Sequence, residues 1–155
     1  MFEHILVAID GSSYTKQALP AAAEIAKKFD SEILVLHVSE HDRGRAVVYS
    51  LETPAAATRL VAGAVKQLQD AGLTAKGQLA DVAAGHVAKS IVETAKANGS
   101  DLIVMGSRGL SDVQGMILGS VTHKVMQTAA IPVLVVRNST AKPALPNVAV
   151  GAFAP

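Results

Sequence analysis

DLIVMGSRGLSDVQGMILGSVTHK, residues 101–124, decides how this chain is read. Leu102 to Met105 form an unbroken apolar run, the mark of a strand buried on both faces. Four glycines follow in the nineteen residues from Gly106 to Lys124. Glycine weakens helices and strands, so this density marks special backbone angles or the close approach of something else. Gly119-Ser120 then opens a helix to about Thr128, whose first N–H groups lack partners inside the helix.

The same alternation extends in both directions. HILVAID (4–10) is a short apolar run ending in Asp-Gly, a buried strand and a turn. Ser12 or Ser13 caps a helix with Ala18, Ala22, Ile25 or Ala26, and Phe29 inward, and Pro20 bends it. EILVLHV (32–38) is a second buried strand, and residues 39–52 are polar and irregular. Thr53-Pro54 caps a helix whose stripe is Ala57, Leu60, Val61, Ala64, Val65 and Leu68, and Gly72 closes it. TAKGQLADV (74–82) is a weak third strand. Residues 86–99 give a helix with Val87, Ile91 and Ala95 inward, and IPVLVV (131–136) is the last strand. Five strands alternating with four helices imply an α/β domain with a parallel sheet covered on both faces. Residues 138–155, rich in Ala and Pro, read as an extended tail.

Composition narrows the function. The chain has 155 residues, enough for one domain with a real core. No apolar stretch reaches the roughly 18 residues of a membrane span, and the start lacks the basic region of a secretory signal. Cysteine is absent, which excludes disulfides, thiolate metal sites and thiol nucleophiles. A cytoplasmic protein is expected. The formal net charge is +1 without a basic cluster, and two Tyr, three Phe and no Trp make a poor base-stacking platform. Nucleic acid is therefore not an expected partner.

Ligands of open parallel sheets bind at the carboxyl ends of strands where the order reverses. Asp10 ends the first strand and Gly106 the fourth, so as neighbours at that point they face one crevice. Gly119 would let a phosphate reach the helix N-terminus, with Ser120 and Thr122 as hydroxyl donors and Arg108 as a charged contact. Taken singly, each glycine is better explained by loop shape; three small residues with a helix cap beside the switch point favour phosphate. The chain has neither G-x-x-x-x-G-K-[ST] nor a G-x-G-x-x-G after the first strand, where it reads D-G-S-S. A nucleotide would use a different loop.

The spacing Gly106-x2-Gly109-x9-Gly119-Ser120 resembles the nucleotide-binding pattern of the universal stress protein family. DLIVMGSRG, LGSV and IPVLVV resemble its C-terminal half, and ILVAIDGS and LHV its first two strands. The resemblance covers about residues 2–137. It implies a five-stranded parallel sheet in order 3-2-1-4-5, adenine nucleotide α-hydrolase-like and Rossmann-like. It also implies an ATP site, with residues 1–137 as the nucleotide-binding domain and 138–155 as an added tail. By position, Asp10 would contact the ribose with Ala8 beside it, and Val38 would meet adenine. Met105 and Gly106 would line the ribose. Arg108, Gly109, Gly119, Ser120, Val121 and Thr122 would surround the phosphates. Mg²⁺ would accompany them. Family members dimerise through the last strand, here Ile131 to Val136, whose apolar edge would otherwise stay unpaired. The tail could cross to the partner, pairing through Val148 to Val150, or cover the nucleotide.

An ATP site does not make an ATPase, because hydrolysis needs a group that orients or deprotonates water. Asp10 is the acid in the crevice, and its duty is ligand contact. Asp112 reads as solvent-facing, His123 as a partly buried structural histidine, and His37 with His41 as no metal pair. Three readings follow: an ATP-binding stress regulator with slow hydrolysis at most, an ATP pyrophosphatase-like enzyme, or a nucleotide-free interaction module. The pyrophosphatase pattern S-G-G-x-D-S is poorly matched by IDGSS. The regulator is the expectation.

Overall fold

The computed structural model describes residues 1–12, 15–43, 48–50, 52–108 and 118–137. The elements run β1 (His4–Ile9), α1 (Thr15–Phe29), β2 (Glu32–Arg43), β3 (Val48–Ser50), α2 (Pro54–Asp70), β4 (Ala75–Ala83), α3 (Val87–Ala97), β5 (Leu102–Gly106), α4 (Ser120–Thr128) and β6 (Val133–Val136). Five strands pair in parallel in the spatial order β4-β2-β1-β5-β6. Counted along the chain these are the third, second, first, fourth and fifth parallel strands, the expected order.

Alternation along the central strands divides the core in two. Ile5, Val7 and Ile9 of β1 join Ile33 and Val35 of β2 beneath α1 and α2. Leu6 of β1 joins Leu34, Leu36, Ile103 and Met105 beneath α3 and α4. Burying each such side chain contributes about 1.5–3 kcal/mol, so the two layers account for most of the drive to fold. α1 reaches the sheet through small residues, Ala18, Ala22 and Ala26, all 0% exposed. It continues through Pro20, and Phe29 is turned out instead of inward. That ring is 40% exposed and packs edge-on against Phe2 at 5.6 Å. α2 begins as expected, with the Thr53 side chain accepting from the Ala56 N–H and Pro54 in the first turn. Asp101 pins the opposite end of the sheet: its carboxylate accepts from the Glu3 and His4 N–H groups at 2.8 and 3.1 Å.

Three details depart from the sequence reading. β2 continues to Arg43, and β3 pairs antiparallel with its polar end, His41 facing Ser50 and Arg43 facing Val48. β4 is a nine-residue strand that follows β2 from Ile33 to His41. Its apolar signal is weak because it is an edge strand and Gly77 leaves room for α2. β6 starts at Val133, two residues later than expected, since Pro132 has no N–H to give and only its carbonyl accepts, from Ile103. Among the described residues no helix is long and apolar enough to cross a membrane.

Candidate functional site

β1 leads to β2 on one side, while β5 leads to β6 on the other, so the carboxyl ends of β1 and β5 flank the reversal in strand order. Ala8 and Met105 are direct partners across this point. Asp10 follows β1, and its Oδ1 accepts from the Ser12 N–H at 2.9 Å. Gly11 between them has φ +79°, an angle that glycine adopts without strain. Ser12 is itself buried.

On the opposite lip, Ser107 continues β5. Its N–H donates to the Val136 carbonyl at 2.8 Å, and its carbonyl accepts from the Gly119 N–H at 2.8 Å. This exchange carries the chain from β5 to the start of α4. Gly119 is the extended N-cap (φ −69°, ψ 153°) and supplies no side-chain cap. The first helical bond runs from the His123 N–H to the Gly119 carbonyl. The amides of Ser120, Val121 and Thr122 thus belong to the first turn, where positive dipole and donors meet. Ser120 is exposed and Arg108 half-buried. Thr122 is 3% exposed and its hydroxyl donates to the Gly106 carbonyl at 3.0 Å. That bond braces α4 against the end of β5, a duty that a lone threonine in sequence does not reveal. Gly109 and Asp112 lie outside the described residues.

Between the lips, Ala8, Val38, Met105 and Val121 belong to one apolar cluster on the α3/α4 side. Ala80 and Val87 join the same cluster. Sequence reasoning assigned neither to the site; Val87 had shown only an inward helical position. The turn before α3 is held by Glu40, whose Oε1 accepts from the Gly85 N–H at 2.7 Å. His41 Nδ1 lies 3.0 Å from Asp81 Oδ1, and His37 is buried against other partners, so the two histidines are not a pair. His123 is exposed, not partly buried. Among the described residues no group of three His, Asp or Glu could hold a metal ion. At the amino-terminal end of the strands, a pit lined by His4, Glu32, Lys76 and Ser100 has room for about one water, too little for a ligand.

The fold defines a doubly wound α/β protein whose strand order reverses between β1 and β5. The universal stress protein family model matches residues 1–137, and the chain belongs to that family. Universal stress protein YxiE of Bacillus subtilis (strain 168) is 36% identical over 151 residues, covering 88% of this chain and all of that protein. The solved structure of the protein MJ0577 superposes with a TM-score of 0.70 at 27% identity, covering 91% of this chain and 99% of that one. A universal stress protein from Archaeoglobus fulgidus in complex with dAMP matches in fold, with a TM-score of 0.67 at 24% identity over 87% of this chain and 98% of that one.

Proposed function

We propose that the chain binds ATP in the switch-point crevice and acts as a nucleotide-dependent regulator in the stress response, with slow hydrolysis at most. The observation that carries this reading is the uncapped first turn of α4, set at the switch point beside one apolar cluster that holds Ala8, Val38, Met105 and Val121. The cluster suits a nucleobase. The first-turn amides, the Ser120 hydroxyl and Arg108 suit phosphates. Asp10, on the β1 lip, suits ribose hydroxyls. Gly106 and Gly119 let the backbone come close. Thr122 serves by holding α4 in place. The dAMP complex of the Archaeoglobus fulgidus protein supports the choice of an adenine nucleotide.

The metal follows the same logic. No three-ligand cluster exists among the described residues, so Mg²⁺ would be carried by phosphate oxygens and water. It would offset phosphate charge there, while Asp10 stays with the nucleoside. No general base for water stands out on the lips described, which supports a sensor over an ATPase. In this reading residues 1–137 are the nucleotide-binding domain and 138–155 a separate tail. Two copies associate through β6, where Leu134 is 36% exposed and Val133, Val135 and Val136 are half-buried.

The test is to purify the protein, denature it and identify released nucleotide by chromatography and mass spectrometry. Gly119→Val with Ser120→Ala is compared, because it blocks close approach and removes one hydroxyl. ATP in the wild type and none in the variant is expected. A wild type that stays empty on titration with ATP and Mg²⁺ refutes the proposal and leaves an interaction module. Release of AMP and pyrophosphate would point to a pyrophosphatase instead.

A further inference from the structure

His37 is a titratable side chain that is buried, with 3% exposure. Its ring reaches two distant parts of the chain. Nδ1 lies 2.8 Å from the Ile9 carbonyl, and Nε2 lies 2.5 Å from Glu52 Oε2. A carbonyl can only accept, so Nδ1 carries a hydrogen and donates it. Nε2 faces the Glu52 carboxylate oxygen, so the ring ties the end of β1 to the start of α2. Ser39 Oγ stands further from the same carboxylate, at 3.5 Å.

What the ring holds is more telling than the ring itself. The Ile9 carbonyl shares a planar peptide unit with the Asp10 N–H, so fixing that oxygen fixes the plane entering Asp10. Asp10 in turn closes the Ser12 turn. The other end of the bridge, Glu52, immediately precedes Thr53, the cap of α2. A second contact joins the same two parts: a Cβ on Gly11 would lie 3.6 Å from Leu60 Cδ2, so α2 already packs against that turn. We infer that His37 and Glu52 are positioning residues for the nucleoside end of the crevice, fixing Asp10 from the start of α2. The inference rests on the proposed reading of Asp10 as the ribose contact.

Calorimetric titration with Mg²⁺-ATP and Mg²⁺-2′,3′-dideoxy-ATP reads the effect, because only the first offers hydroxyls to Asp10. The wild type is expected to prefer ATP by about tenfold, the worth of one hydrogen bond to a charged group. In His37→Phe and in Glu52→Ala the preference falls below about threefold, since an Asp10 free to drift loses most of that one bond. Glu52→Gln, whose amide can still hydrogen-bond Nε2, restores it. A merely structural role would lower stability and weaken both ligands alike. A full preference in both variants overturns the inference alone. So does a Glu52→Gln protein as indifferent as Glu52→Ala. A wild type that binds ATP without preference overturns the inference and the ribose contact, and one that binds neither ligand overturns the nucleotide reading as well. Should His37→Phe fail to fold, Glu52→Ala decides, because Glu52 is 30% exposed and tolerates change.

Discussion

Adding a single methyl group at Gly77 should destabilise the protein, although glycine in a strand is ordinarily a weakness. A Cβ there would stand 2.4 Å from Val61 Cγ1 and 3.1 Å from Val65 Cγ2. Carbon atoms in contact prefer about 3.5–4.0 Å, so the first pair must open by more than roughly 1 Å. Val61 cannot turn aside, because valine in a helix keeps essentially one χ1 rotamer. It is also 6% exposed and locked into the core under α2. α2 must therefore lift from β4 at that point. Overpacking of this kind costs about 1–3 kcal/mol, while alanine returns about 0.5–1 kcal/mol of backbone entropy. At mid-range the net loss is about 1 kcal/mol. At roughly 2–4 °C per kcal/mol for a chain of this size, the melting temperature falls by about 2–5 °C.

The assay is urea and thermal unfolding followed by far-ultraviolet circular dichroism, with Gly63→Ala as the internal contrast. Gly63 lies in the same helix, exposed, with nothing within 4 Å of an added Cβ. There the methyl group should raise stability by about 0.5–1 kcal/mol. The same substitution thus changes sign within one α2–β4 unit. Trimming Val61 to alanine in the Gly77→Ala background should cost less than the sum of the single changes, since the clash and the valine share one space. A Gly77→Ala protein at least as stable as wild type would refute the close-approach argument.

Two further outcomes are expected. Thr122→Val removes the buried hydroxyl and leaves the Gly106 carbonyl short of a donor, which should cost about 1–2 kcal/mol in urea unfolding. Its nucleotide affinity should fall less than that of Gly119→Val; an undiminished stability with a larger loss of affinity would make Thr122 a phosphate ligand after all. If two copies associate through β6 as proposed, Leu134→Lys places a charge at that interface, so sedimentation should show dimers for the wild type and monomers for the variant, with an unchanged circular dichroism spectrum. A persistent dimer would move the interface away from β6.

Much of this fold was legible because its centre is buried on both faces. β1, β2 and β5 carry continuous apolar runs, and each is read directly as a buried strand. β4 was faint for a physical reason: as an edge strand it exposes Leu79 (44%), and it gives up a side chain at Gly77 to admit α2. β3 and the outer end of β2 were not legible, because β3 is three residues long, the outer end of β2 is polar, and the two are joined by pairing with each other. At the site, Asp10 and Gly119 were readable from strand ends and a helix start. The bridge from Ile9 through His37 to Glu52 was not, since its members are joined only by the closing of the sheet and the packing of α2. Thr122 was readable as a hydroxyl at a helix start, but its direction was not, and the fold turns it onto Gly106.

The polar atoms around the crevice are mostly engaged before any ligand arrives. The Gly119 N–H is held by Ser107, the Thr122 hydroxyl by Gly106, and one oxygen of Asp10 accepts from Ser12. On the proposed reading a ligand would meet, among the described residues, backbone at the first turn of α4, the exposed Ser120, Arg108, Asp10 and the apolar cluster. Recognition by backbone amides and by a small apolar patch depends on how closely the chain can be approached, more than on charged side chains. Glycine spacing is therefore the signal that such a site leaves in sequence, and a nearly neutral chain loses nothing by it.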